Sequence, residues 1–198
     1  VLRPDGGDGV RPGQRIRRRQ GDGREMILPQ QYLDAVSPFF RTALDTLKKG
    51  ERLHPAAFLG SFSTGQTIPI VFSGNSDDEK DGWAYHIKQL AAIYAADYIC
   101  VLMESWSLPQ KHAHLYKDIL HKYGSVGASP YAQDVISISI ETPTSIWMSQ
   151  RPIRLLPPSK KRRAFDLPAA GDFQRYTEAA GRFSGLLPNS QLIDPTSG

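Results

Sequence analysis

The sequence has one cysteine, Cys100, so it offers neither an internal disulfide nor a multi-cysteine zinc site. It has no apolar run near the roughly 18 residues that a membrane helix needs. Nor does an apolar stretch follow its charged first residues in the manner of a secretory leader. No P-loop, dinucleotide-binding glycine fingerprint, HExxH pair or GxSxG elbow is present. These gaps leave no signature for nucleophilic or nucleotide chemistry and imply no cofactor. They suit a cytoplasmic protein away from membranes. Cys100 lies within the apolar run "YICVLMESW" and is expected to be a buried, inert thiol.

Charge is unevenly placed. Residues 1–25 carry seven Arg against four acids, and residues 151–198 carry eight Lys and Arg against four acids. The stretch 26–150 carries nine against twelve, so the net charge of +4 belongs to the ends. The 198 residues fit one domain with tails. We expect a disordered Arg/Gly-rich tail over 1–25, a globular domain over 26–153, and a Pro-rich basic linker with a short helix over 154–198. Met26 opens the patterned region, so the usual start would be there or upstream. The run Lys160, Lys161, Arg162 and Arg163 resembles a nucleic-acid or localisation patch, and equally a solvated linker. Beyond it, Phe173, Tyr176, Ala180 and Phe183 fall at helical spacing, which predicts an amphipathic helix able to dock on a protein partner.

The middle is patterned. Tyr32, Val36, Phe39 or Phe40, Ala43 and Leu47 line one helical face, with Ser37-Pro38 dividing the segment in two and Gly50 stopping it. Thr64-Gly65 predicts a hairpin, and Pro69 assigns its second strand to an edge. Acids before Trp83 open a second helix with Trp83, Ile87, Leu90, Ala91 and Tyr94 inward. Tyr98 to Met103 is apolar on both faces, as in a central strand. A further helix follows at 108–124. A last hairpin turns at Thr142-Pro143, with Ile136, Ile138 and Ile140 buried and the Ser/Glu face wet. The fold class is α+β: a mixed or antiparallel sheet of about five strands, with helices mainly on one face and an irregular C-terminal tail.

Three groups could carry chemistry. His114, Asp118 and His121, with His112 nearby, share a helical face and could ligate a divalent ion, or form a polar stripe. Glu104 ends the central strand. With Glu141 or Asp134 it could form an acid pair for hydrolysis, or pair with an arginine such as Arg151. A buried glutamate without a partner is costly, so Glu104 requires a neighbour. Trp106 and Trp147 are candidate interaction anchors, with Trp147 placed on the Ser/Glu face.

The segments "AADYICVLMESWSLP" and "DVISISIETPTSIWMSQRPI" together resemble small uncharacterised bacterial and phage proteins, in which an apolar strand ends in Glu-Ala/Ser-Trp and a strand ending in Glu-Thr follows. The resemblance spans about residues 50–153 and implies a small single-domain cytoplasmic protein, with no activity or catalytic residue to carry over. The leading expectation is a non-enzymatic binding or regulatory domain. The alternatives are a metal-assisted hydrolase or nuclease using Glu104, Glu141 and the histidines, and a nucleic-acid binder acting through its basic tails.

Overall fold

A computed structural model of the chain describes residues 27–73, 76–178 and 181–193. The basic arm 1–25 and Met26 lie outside the described residues. The elements run α1 (Gln30–Lys49), β1 (Ala56–Ser61), β2 (Gln66–Val71), α2 (Asp77–Ile93), β3 (Tyr98–Ser107), α3 (Tyr116–Tyr123), β4 (Gln133–Thr142), β5 (Ser145–Pro152), β6 (Arg154–Leu155), β7 (Arg163–Ala164) and β8 (Gln174–Tyr176). Six strands form one antiparallel sheet in the order β2-β1-β3-β4-β5-β8, and β6 and β7 form a small ribbon. The α+β class with an antiparallel sheet holds.

The pleat of β3 separates two cores. Tyr98, Cys100 and Leu102 face α1, where Val36, Phe40, Ala43 and Leu47 cover them together with Ile136, Ile138 and Ile140. Ile99 and Val101 face α2, where Ala84, Ile87 and Ala91 pack with Leu59. The helices thus divide between the faces instead of gathering mainly on one. The α1 stripe is continuous through Pro38, and one helix replaces the expected pair. Pro38 lies on the solvent side, where the carbonyl it leaves without an N–H donor can be hydrated. Gly50 ends α1 in the left-handed conformation, with its N–H bonded to Leu47 and that of Glu51 to Thr46, a closure that favours glycine. Ser76 and Glu79 cap α2 reciprocally. β2 is the exposed edge that Pro69 indicated.

The largest departure from expectation is at the C-terminus. No α-helix forms between 173 and 187 among the described residues. After the β6–β7 ribbon, Phe165 and Phe173 bury on the α1 face. β8 then pairs with β5 at the sheet edge through Ile146, Trp147 and Met148. The chain continues round that edge, and Leu186 and Leu187 bury on the α2 face. Arg182 salt-bridges Asp77 and Asp81 in the first turns of α2. The described residues 154–178 and 181–187 are therefore part of the domain, not a linker. Helical spacing misled because a segment that crosses from one face to the other also buries an aromatic every few residues.

Gly60 pairs with Tyr98 across β1 and β3, and the buried phenol ring lies where a side chain would be: a Cβ on Gly60 would sit 2.0 Å from Tyr98 Cζ. Gly60→Ala is expected to lower the unfolding free energy by about 1–3 kcal/mol through overpacking. Denaturant unfolding would read this, and unchanged stability would show that Tyr98 has somewhere else to go. Ala95 is the described non-glycine residue with positive φ (46°), and it stands where a helix ending of this kind favours glycine. Ala95→Gly should be neutral or raise stability by up to about 1 kcal/mol, and a clear loss would contradict strain there.

Candidate functional site

Glu104 and Glu141, the two acids singled out for catalysis, do not meet. Glu104 stands opposite Ile136 and shares the α1 face with Leu102; Glu141 stands opposite Ile99 on the α2 face. Five residues of β3 separate those positions, about 17 Å at strand rise. Each carboxylate is held by its own surroundings.

At Glu104, Arg163 reaches from β7 with Nη2 at 2.9 Å from Oε1 and Nη1 at 2.5 Å from Oε2, and the Leu53 N–H lies 3.4 Å from Oε1. The planar guanidinium matches the two oxygens, so this pair is directional as well as charged. The required neighbour exists, and it comes from the basic run instead of being Arg151. Arg151 pairs with Asp172 at 3.2 Å and donates from Nε to the Asp166 carbonyl. Asp134 shares the face of Glu104 and is exposed, standing opposite Trp106.

Glu141 is 3% exposed and accepts one N–H bond on each oxygen, from Leu186 and Leu187, both at 3.0 Å. Burial pushes its pKa up, and the loop N–H groups oppose that shift in part. Its role is to receive two donors that would otherwise be buried unpaired. The Ser/Glu face of β4 expected to be wet is closed here by residues 181–193. Cys100 is buried as expected, and burial pushes its thiol pKa up, which suppresses the nucleophilic thiolate.

The histidine group spans two elements. His112 and His114 lie in a 3-10 turn, Gln110–Leu115, and Asp118 and His121 lie in α3. His114, Asp118 and His121 are exposed, and the His112 ring packs on Tyr131 at 4.8 Å. Among the described residues, no three of His, Cys, Asp and Glu gather to hold a metal ion.

The tryptophans differ. Trp147 pairs with Ile140, so it points into the α1 core and is 5% exposed. This corrects its placement on the Ser/Glu face: the Thr142–Ser145 pairing sets even residues of β4 against odd residues of β5, which inverts the alternation. Trp106 is 62% exposed. Gly127 backs its ring so closely that a Cβ there would sit 2.6 Å from Cε3.

The basic run is also divided. Arg163 belongs to Glu104, while Arg162 Nε donates to the Lys48 carbonyl at 2.7 Å, at the C-terminal end of α1. Lys160 and Lys161 are exposed. Sequence reasoning missed that this run lies against the end of α1 at Lys48 and Gly50. It also missed a cavity of about 250 Å³ between the β1–β2 hairpin and the end of α2, walled by Leu59, Ile68 and Ile93 with Thr64 and Gln66 at its polar side. Neither had a local signal, since both join segments distant in sequence. Among the described residues, no helix is long and apolar enough to cross a membrane. Comparison with protein-family models, curated proteins and solved structures returns no match.

Removing either partner of the Glu104–Arg163 pair should cost about 1–3 kcal/mol by leaving the other charge half-buried. The double variant Glu104→Gln/Arg163→Gln should cost less than the two single losses added together. Additive losses in a denaturant double-mutant cycle would show that the pair is not coupled.

For Glu141 the folded-state pKa lies above the ordinary carboxylate value of 4.5, so the folded state holds the proton more tightly than the unfolded one. Its contribution is therefore fully present below that value and declines as pH rises through the folded pKa. Compared with Glu141→Gln, which does not titrate, the wild type should lose relative stability as the pH rises above 4.5. A difference that moves in the wild type's favour with rising pH would mean that the N–H bonds outweigh burial.

Proposed function

We propose that this chain is a non-catalytic binding domain. One observation carries the proposal: Glu104 and Glu141, the two glutamates that could have served a reaction, each have both oxygens engaged by donors from the chain itself. What remains outward and unpaired is adhesive. Trp106 offers an open indole, and the cations at the end of α1 face solvent. Exposed aromatics and arginines are the residues in which recognition surfaces are enriched. A cytoplasmic setting fits the lone buried thiol, and the resemblance to small single-domain proteins agrees with it.

The test incubates the full purified chain with host lysate and, separately, with phosphoester and peptide substrates in the presence of magnesium, manganese or zinc. The expected outcome is a component retained at fixed stoichiometry in EDTA and recovered unchanged, with no metal-dependent turnover. Turnover that Glu104→Gln abolishes while the variant remains folded would contradict the proposal and restore the hydrolase reading.

A further inference from the structure

The fold brings together two cationic segments that lie 114 positions apart at their point of contact, where Arg162 Nε donates to the Lys48 carbonyl. Beside that bond, the Lys161 side chain lies against Gly50, 3.2 Å from where a Cβ would stand. Lys48, Lys49 and Arg52 from one segment, with Lys160, Lys161 and Arg162 from the other, are all exposed. None of the six forms an ion pair among the described residues. Glu51 is the acid among them, and Asp45 lies one turn back along α1.

Cations at a helix C-terminus are partly explained by the helix dipole and its free carbonyls. That accounts for Lys48, Lys49 and Arg162. It does not account for Arg52, Lys160 or Lys161, which add repulsion to a crowded corner and form no ion pair with Glu51 or any other described acid. Such a surface is completed by a polyanion.

The adjoining residues narrow the class. Arg163, next in the run, holds Glu104, and Trp106 follows Glu104 two positions on along the same face of β3, about 7 Å away. Its indole is backed on one side by Gly127 and is 62% exposed. Asp134, opposite it, offers an acceptor to a base amino group. A row of phosphate-binding cations leading to an open aromatic plate is the arrangement that holds an unpaired strand, with backbone on charge and base on ring. We infer that the corner formed by the end of α1, the 160–162 turn and Trp106 binds single-stranded nucleic acid. This rests on the binding-domain reading and assigns its partner.

The test is fluorescence anisotropy on the full chain in EDTA, with a mixed-sequence single-stranded oligonucleotide of about 15 nucleotides, across a salt series. Affinity should fall steeply with salt. The variant Lys48→Gln/Lys49→Gln/Lys160→Gln/Lys161→Gln should bind about tenfold more weakly or worse, with a log–log salt slope shallower by about 2–3. Trp106→Ala should lose roughly 5- to 150-fold with the slope unchanged, since stacking releases no counterions. Lys117→Gln/Lys122→Gln, on α3, serves as the control and should bind as the wild type does. Thermal melts establish that each variant is folded.

No binding at low salt, or unchanged binding by the four-site variant, overturns the inference. So does heparin or duplex DNA binding as tightly as the single strand with Trp106→Ala without effect, which marks a general polyanion surface. A host protein retained by a chain that ignores the oligonucleotide overturns this inference and leaves the binding-domain reading standing. Cleavage of the oligonucleotide once divalent ions are added overturns that reading itself.

Discussion

Two carboxylates on opposite faces of one sheet fasten the C-terminal segment around the domain. Glu104, on the α1 face, takes the guanidinium of Arg163 as the segment begins its return. Glu141, on the α2 face, takes the N–H groups of Leu186 and Leu187 after the segment has rounded the β5 edge. Between these anchors the segment supplies Phe165 and Phe173 to one core and Leu186 and Leu187 to the other. Burying those four side chains contributes about 6–12 kcal/mol of transfer free energy. That is comparable to the whole net stability of an ordinary domain, about 5–15 kcal/mol.

This constraint also explains the surface. An acid in the outer half of the central strand could have opened into a cleft, and here it is closed by an arginine from the wrapping segment. Because Arg163 is held there, the residues before it are pressed against the end of α1, and Arg162 satisfies a helix carbonyl. The same contact that completes the fold therefore concentrates cations near an exposed tryptophan. The closed architecture at Glu104 and the exposed cations beside it are two consequences of one ion pair.

The local parts of this arrangement were legible in the sequence. The two apolar faces of β3, the Thr64-Gly65 turn, the stop at Gly50 and the edge position marked by Pro69 each follow from residues within a few positions of one another. Glu104's need for a partner was legible too, but its identity was not. Several arginines could reach the end of a strand, and selecting Arg163 over Arg151 depends on how the β6–β7 ribbon returns. Pro38 overstated its effect because a proline on the outer side of a helix leaves its unpaired carbonyl to water. The C-terminal segment has the sequence pattern of linker and helix because strands of two or three residues are too short to show alternation, and its contacts all lie far away in sequence. Trp147 was misplaced by a single step of register, and in a sheet one step exchanges core for surface.

The most direct test is to end the chain at residue 153 and measure cooperative unfolding of the remainder by denaturant and near-UV circular dichroism. If the two carboxylates fasten an integral part of the domain, the shortened chain loses its cooperative transition and its fixed aromatic environment. A shortened chain that unfolds cooperatively with the stability of the full-length protein would contradict the account. It would return residues 154–187 to the status of a linker.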